Sequence, residues 1–529
     1  MLEPYIRPGI DDRPDYEKAL SPEDKAAVAR LAIEDRRLPP EASSEQPGAQ
    51  AARLTADGAV PVAAAAVDAA VPDYSSSFLD MRDPMVSADG QRPSSLDVTR
   101  LKWGFAAAAT LTTAPWVMLN LVGIPNQVAR ACGLDTAFAI LAKNAGCVLV
   151  VPLAAIIALG AIASMMFMPF VAAWSDHTSL AIGRRTPWLV AGGVLAALVT
   201  LVLGSLNNIV VLAVLWVVLQ FAYAMVSAPL VAAIAERVPD KFRDTVERWH
   251  AMGVLVGQVS GGVIGGMSIA FGASTPFACA AVLFAVSGVA TVLVWPREPS
   301  SVEQRHSRID WNEEYAVLRG PRGDKARPFL RLFASRLFMM AAVSLTGVFL
   351  WYIVRFAVYG DEPQLTSAPL TLPSGTLIML LSIASFAGAA LASACAGAIA
   401  DKFLKGLGSR NLRIAAALTC VLYILGLLAG MAIVLIGGEK SLMIFSLVAG
   451  FALGLYDVLV QPLAVEALPD SHTAGRDFGF YALAKPLGLA LGAVLGAVVV
   501  IAFISSLGYI ALFPAAIVCT AIAALLLCK

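Results

Sequence analysis

The strongest chemical signal in this 529-residue sequence is a carboxylate inside an apolar run, Asp457 in Gly454-Leu455-Tyr456-Asp457. An ionisable group held in hydrocarbon is costly and is retained for a reason. A desolvated carboxylate favours its neutral form, so Asp457 is the candidate for carrying a coupling proton or cation, with Tyr456 beside it. It lies about ten residues from the nearer end of its run, roughly 15 Å along a helix. The same residue also suits a structural role, bonded to a neighbouring Ser or Tyr. Arg355, in Trp351-Tyr352-Ile353-Val354-Arg355, is the second intramembrane ion. Near the end of its run it can snorkel to the interface, or face a cavity and clamp an anionic or hydroxylated solute beside Trp351. Neutral polar groups are more numerous: Asn120, Gln220, Tyr223, Gln258 and Gln461. Amides both donate and accept, which suits a hydroxyl-rich solute, and they also serve as helix–helix contacts.

A second constellation occurs twice. Ala172-Ala173-Trp174-Ser175-Asp176 is followed by Gly183-Arg184-Arg185. Gly397-Ala398-Ile399-Ala400-Asp401 is followed by Gly408-Ser409-Arg410. In both, Asp precedes Gly by seven residues. An Asp at a helix end can pair with Arg across a short turn and with the N-terminus of a neighbouring helix. Such a contact latches two helices in one state and breaks in another. The bland alternative is a basic loop that only sets topology. The repetition continues. Pro239-Asp240 with Arg243-Asp244 answers Pro469-Asp470 with Arg476-Asp477, and Gly253, Gly257 and Gly261 answer Gly488, Gly492 and Gly496. Four-residue glycine spacing gives a smooth helix stripe against which a neighbour packs closely. Matches in register on equivalent segments predict a parallel two-half repeat, a plan found in transporters with a site between the halves.

The elements that must position these residues are membrane helices. The chain is 58% hydrophobic and 14% charged, with mean hydropathy +0.75; ordinary soluble domains are about 25% charged. Apolar runs long enough to span a bilayer are predicted near 103–123, 147–174, 187–206, 208–234, 250–271, 276–295, 332–358, 374–400, 412–437, 441–467, 478–502 and 505–528. Lys and Arg concentrate in alternate loops: Arg184 and Arg185; Arg237, Lys241, Arg243 and Arg248; eight from Arg297 to Arg331; Lys402, Lys405 and Arg410; Arg476. The opposite loops hold Arg130, Lys143 and Lys440. The positive-inside rule therefore places both termini in the cytoplasm. Residues 1–98 carry a net charge of −8, and their Ala/Pro/Ser/Gly-rich stretch predicts a mostly disordered tail, with one short helix capped at Ser21. The expected organisation is an acidic tail (1–98), a six-helix half (99–295), a cytoplasmic linker (296–331) and a second six-helix half (332–529). Seven scattered cysteines lack any CxxC pair and read as small buried hydrophobes. Walker loops, zinc-ligand spacing and a Ser-His-Asp set are lacking, so an enzyme is not expected. Neither is a cofactor or metal, and the loop charges are topogenic rather than a nucleic-acid surface.

At this point the sequence resembles the major facilitator superfamily over residues 100–529. Within it the sequence is most similar to the branch of sucrose:proton and glycoside–pentoside–hexuronide:cation symporters. The resemblance rests on Ser175, Asp176, Gly183, Arg184, Arg185 and Pro187, which match that branch's Ser-Asp-…-Gly-Arg-Arg-x-Pro loop. His177 stands where the branch has Arg, and Ser409 replaces the first Arg of the second loop, which implies a weaker second latch. The resemblance implies twelve helices in two halves that rock about a central site. It implies cation-coupled movement of a sugar or glycoside, with a proton or sodium ion as partner, in the lipid bilayer of the plasma membrane, by a monomer. Two alternatives stay open: a drug or metabolite exporter on the same fold, and a membrane sensor that binds without transporting. The first helix has no carboxylate, unlike many proton-coupled relatives. Gln258 occupies the place of the proline in the antiporter motif of drug exporters.

Overall fold

A computed structural model describes residues 85–87, 92–132, 145–302, 309–359, 373–402, 409–469, 473–504 and 506–528. The short helix expected from Ser21, and the tail as far as Pro84, lie outside the described residues. Twelve helices are long and apolar enough to cross a membrane. They are α1 (Ser95–Ala131), α2 (Leu149–Asp176), α3 (Thr186–Ser205), α4 (Ile209–Arg237), α5 (Asp240–Phe271) and α6 (Thr275–Val294), then α7 (Asp324–Val358), α8 (Pro373–Cys395), α9 (Arg410–Met431), α10 (Gly438–Glu466), α11 (Ala474–Phe503) and α12 (Gly508–Cys528).

Every expected span is found, with some ends displaced by local chemistry. α1 begins at Ser95, eight residues before its apolar run, because Ser94 and Asp97 form a capping box. Reciprocal capping satisfies two of the N–H groups a helix start leaves open. α5 begins at Asp240 rather than near 250. Its first turns are charged, and Asp240 pairs with Arg243 at 2.6 Å within the helix. Hydropathy marks only the part of a helix that hydrocarbon must cover, so polar extensions escape it.

The two six-helix halves repeat one packing plan. In the first half α1 packs on α5 and α6, α4 on α2 and α3, and α3 on α6. In the second, α7 packs on α11 and α12, α10 on α8 and α9, and α9 on α12. The glycine stripes set the register. Gly253, Gly257 and Gly261 lie against Ala106, Thr110 and Ala114 of α1, and Gly488 and Gly492 against Leu337 and Ala341 of α7. A Cβ at Gly253 would come within 2.3 Å of the Ala106 carbonyl oxygen, and one at Gly492 within 2.4 Å of that of Ala341. The backbones meet only because no side chain intervenes. α1 and α7 share one more feature: a π-helical segment, Leu119–Gly123 in α1 and Ile353–Val358 in α7.

The halves join along α2–α11 and α5–α8. One end of the bundle carries Arg184, Arg237 and Arg327 and is called the basic end; the other is the far end. At the far end the halves touch through backbone. Gly266 of α5 and Gly375 of α8 face each other, each leaving a Cβ of the other only 2.3–2.4 Å from its carbonyl oxygen. The buried Tyr352 hydroxyl donates to the Pro125 carbonyl at 2.9 Å, tying α7 to α1. Two and one turns nearer the basic end than Gly266, on the same α5 face, come Gln258, which is exposed, and Gly262, which meets Ser382. Along the α5–α8 seam the contact is thus close from Gly266 to Gly262 and open at Gln258.

Candidate functional site

Two groups of residues answer to the sequence expectations: a charged network at the basic end and a lined cleft between the halves.

The network centres on Arg185, whose side chain is 2% exposed. Its guanidinium pairs with Asp176 and Glu236 and donates to the Ser175 hydroxyl. The Nε bond to Glu236 is 3.1 Å. Arg184 joins Glu236 at 3.0 Å. The planar fork of arginine suits this arrangement, since five donors can serve two carboxylates and a hydroxyl at once. Glu298, which follows α6, completes it. Its carboxylate accepts from the backbone N–H groups of Arg184, Arg185 and Thr186 at 3.0, 3.0 and 2.9 Å, and from the Thr186 hydroxyl at 2.7 Å. These are the open donors at the N-terminus of α3, where the helix dipole favours negative charge. Gly183, at φ +92°, makes the turn, and a Cβ there would lie 2.2 Å from the Glu298 carboxyl carbon. Gly183→Ala is therefore expected to cost about 1–3 kcal/mol from backbone strain alone and to displace Glu298. A melting temperature equal to wild type in detergent would refute this. In the second half, Asp401 falls in the last turn of the helix that continues α8 to Lys402, and its side chain lies outside the described residues, as do 403–408. Arg410 is exposed at the start of α9.

The cleft has an aromatic and amide wall on the first half. Trp116 of α1 stacks on Trp216 and Tyr223 of α4, with ring centroids 5.2 and 4.6 Å apart. Asn120, in the π segment of α1, donates to the Trp116 carbonyl at 2.8 Å and so occupies an acceptor where the helix ladder changes step. Trp116, Asn120, Trp216 and Gln220 line a small cavity with Ser164 of α2 and Pro486 and Leu489 of α11. Its volume is about 30 Å³, room for one or two waters, so a solute of sugar size requires the halves to separate. The indole N–H of Trp216 is buried without a partner. Gly160 of α2 gives it room: a Cβ there would lie 2.3 Å from that nitrogen and 2.7 Å from the Gln220 amide nitrogen.

The second half carries a charged pair. Asp457 of α10 is 58% exposed, and Nη2 of Arg336 from α7 lies 3.9 Å away. The Arg336 guanidinium lies over the ring of Tyr481 of α11, 4.7 Å from its centroid. Asp457 thus has a charge partner and open surface in place of the dry surroundings that its apolar run implied. Lys485, one turn beyond Tyr481, is exposed, as is Gln461, one turn beyond Asp457. Tyr456 points the other way, fully buried, with its hydroxyl 3.2 Å from that of Ser335. Trp351 is buried, in the α7 segment Leu350–Tyr352 that packs on the far end of α1. Arg355 lies in the far-end π segment, 5.7 Å from the Phe356 ring centroid, away from the Asp457 pair.

The structure therefore brings Asn120, Gln220 and Tyr223 together around Trp116 in the first half and leaves Asp457 and Gln461 exposed on α10 of the second. Gln258 lies apart, on the α5–α8 face. Sequence reasoning passed over four contributors: Trp116, Glu236, Glu298 and Arg336. Arg336 falls at the edge of an apolar run, where a cation reads as a loop charge. The repeat register could have found it, because it aligns with Lys102 at the 234-residue spacing of the π segments. Nothing local marks Glu298, which is 113 residues from Arg185.

A family model described as Major Facilitator Superfamily matches residues 105–429. No curated protein matches the chain. Among solved structures, the nucleoside transporter NupG superposes with a TM-score of 0.56 at 14% identity, covering 81% of this chain and 97% of that one. A bacterial homologue of the human lysosomal transporter Spinster, inward-facing and occupied, superposes with a TM-score of 0.56 at 13% identity, covering 82% and 97%. Its inward-facing, unoccupied form reaches 0.52 at 14% identity, with 82% and 95% covered. At such identities the likeness is one of fold.

Proposed function

This chain belongs to the Major Facilitator Superfamily, and on that premise we propose that it is a secondary active transporter. In this reading it moves a small polar solute, with a sugar or glycoside favoured, by cation-coupled alternating access. The observation that carries the reading is the cleft itself. A polar and aromatic wall from the first half faces Pro486 and Leu489 of the second, between halves that meet backbone to backbone at the far end of the α5–α8 seam. An amide wall of Asn120 and Gln220 next to stacked rings offers donors, acceptors and apolar faces, the mixture a hydroxylated ring requires. Rocking of the halves would widen the cleft on one side at a time.

In this scheme the Asp176–Arg185–Glu236 network and the Glu298 clamp hold the basic end of α2 and α3, with Gly183 as the turn. Asp401 and Arg410 would do the same for α8 and α9. Asp457 is the coupling carboxylate. Its neutralisation by a cation would release Arg336 and change the charge of the cleft.

The test is uptake by proteoliposomes under imposed proton and sodium gradients, with sugars and glycosides as probes. Asp457→Asn is expected to lower gradient-driven accumulation at least about tenfold, the loss of about 1.4 kcal/mol of coupling. Equilibrium exchange of the same solute should continue. Accumulation at the wild-type level would remove Asp457 from coupling, and no gradient-driven movement of any solute by wild type would remove the transporter reading.

A further inference from the structure

We propose that the solute bound in this cleft carries an oxyanion, a carboxylate or phosphate, and that Arg336 binds it in competition with Asp457. The inference rests on the transporter reading and narrows its solute class.

The argument begins with the unused capacity of Arg336. A guanidinium has five N–H donors in a planar fork, matched to two oxygens of one oxyanion. Its one carboxylate partner among the described residues approaches a single Nη at 3.9 Å, the outer limit of an ion pair, and its Nε is buried without a hydrogen-bond partner. A cation partly desolvated at the edge of its apolar run carries a cost, and a loose single contact offsets little of it. Tyr481 holds the guanidinium flat over its ring. That fixes the plane of the fork and lowers the entropy lost when an anion docks.

Charge balance points the same way. The groups in contact in the pair are Arg336 from α7, Asp457 from α10 and the uncharged ring of Tyr481 from α11. The first-half cavity lining, Trp116, Asn120, Ser164, Trp216 and Gln220, is uncharged. Once Asp457 takes up a cation, Arg336 is left without an anion, and an oxyanion on the solute would restore the balance. Asp457 is the built-in competitor. Its exposure leaves it free to swing off Arg336 as the solute arrives, and its loss of charge on taking up a cation would favour the exchange.

The test uses the full-length protein purified in neutral detergent, with thermal unfolding followed against sodium phosphate and sodium acetate, at ionic strength held constant with sodium chloride. A saturable stabilisation by at least one oxyanion is expected; phosphate alone points to phosphate esters, and acetate alone to carboxylates. Arg336→Gln should abolish it, and Arg331→Gln, on the exposed first turns of α7, should leave it unchanged. Asp457→Asn should tighten half-saturation about tenfold, because the competitor is gone. A merely structural Arg336–Asp457 pair predicts weaker binding or none in that variant. If Arg336→Gln does not fold, Asp457→Asn decides alone: tighter binding supports the assignment, and equal or weaker binding overturns it. No response of wild type to either anion also overturns it. So does a response that phosphatidylglycerol in nanodiscs reproduces without added anion, which would assign the site to lipid headgroups. Gradient-driven uptake of a neutral sugar together with no anion response would leave the transporter reading standing and remove this one.

Discussion

Gly375→Ala is expected to drive the far end of the bundle apart. Gly375 is in the first turn of α8, and a Cβ on it would lie 2.3 Å from the carbonyl oxygen of Gly266 in α5. The obstacle is backbone, which cannot rotate away as a side chain can. The helices must separate by about 1 Å to restore ordinary contact. Forcing a methyl into a filled interface costs about 1–3 kcal/mol, and that cost falls only on conformations in which the two glycines meet. A tenfold population change needs about 1.4 kcal/mol, and alternating states commonly differ by a few kcal/mol. The far-end-closed state should therefore lose its dominance. Spin labels at Phe271 and Leu435, both exposed and on opposite halves, should show a longer distance population in the variant. Gly347→Ala is the control, because a Cβ there has nothing within 4 Å. An unchanged distance distribution in Gly375→Ala would refute the claim that this contact closes the far end. Tyr352→Phe should shift the same equilibrium by about 1 kcal/mol, the worth of its bond to the Pro125 carbonyl.

Arg185→Gln should cost the protein about 1–3 kcal/mol of stability, because the carboxylates left behind lose charged hydrogen bonds but are partly exposed. The variant weakens the pairing of two carboxylates. Asp176 loses its ion-pair partner among the described residues, and Glu236 keeps Arg184 alone. The readout is thermal unfolding in detergent, with a fall of several degrees expected. Adding Glu236→Gln should recover part of the loss, because it removes an under-paired charge along with its partner. Arg185→Lys should not rescue: an ammonium is a point charge and cannot span Asp176, Glu236 and Ser175 with one planar fork. A double variant less stable than Arg185→Gln alone would show that Glu236 is held by something other than this pairing.

The twelve helices were legible because their cause is local. Hydrocarbon thickness demands about 20 apolar residues in a row, and the composition of a segment answers that by itself. The two-half plan was legible because repeated motifs need only be compared with each other. The glycine stripes announced close neighbours, although only the folded chain assigns α1 to one stripe and α7 to the other.

The Asp–Gly–Arg–Arg loop was likewise readable, since Asp176 and Arg185 are nine residues apart across one turn. What completes it was not. Glu236 arrives from the end of α4 and Glu298 from beyond α6, and a carboxylate next to prolines carries no sign of the helix terminus it will meet. The cleft divides the same way. The polar residues Asn120, Gln220, Tyr223 and Asp457 announced themselves by being out of place in apolar runs. Which of them share a wall depends on helix rotation and depth, and those follow from packing partners hundreds of residues away. Arg336 marks the boundary most clearly. Its type and position read as a loop charge, and it became the partner of Asp457 only because α7 and α10 cross at that level. Sequence alone determined that this chain spans a membrane twelve times in two related halves, because burial in lipid is a property of each segment. Tertiary structure alone decided which charges pair, because ion pairing depends on distances that no segment contains.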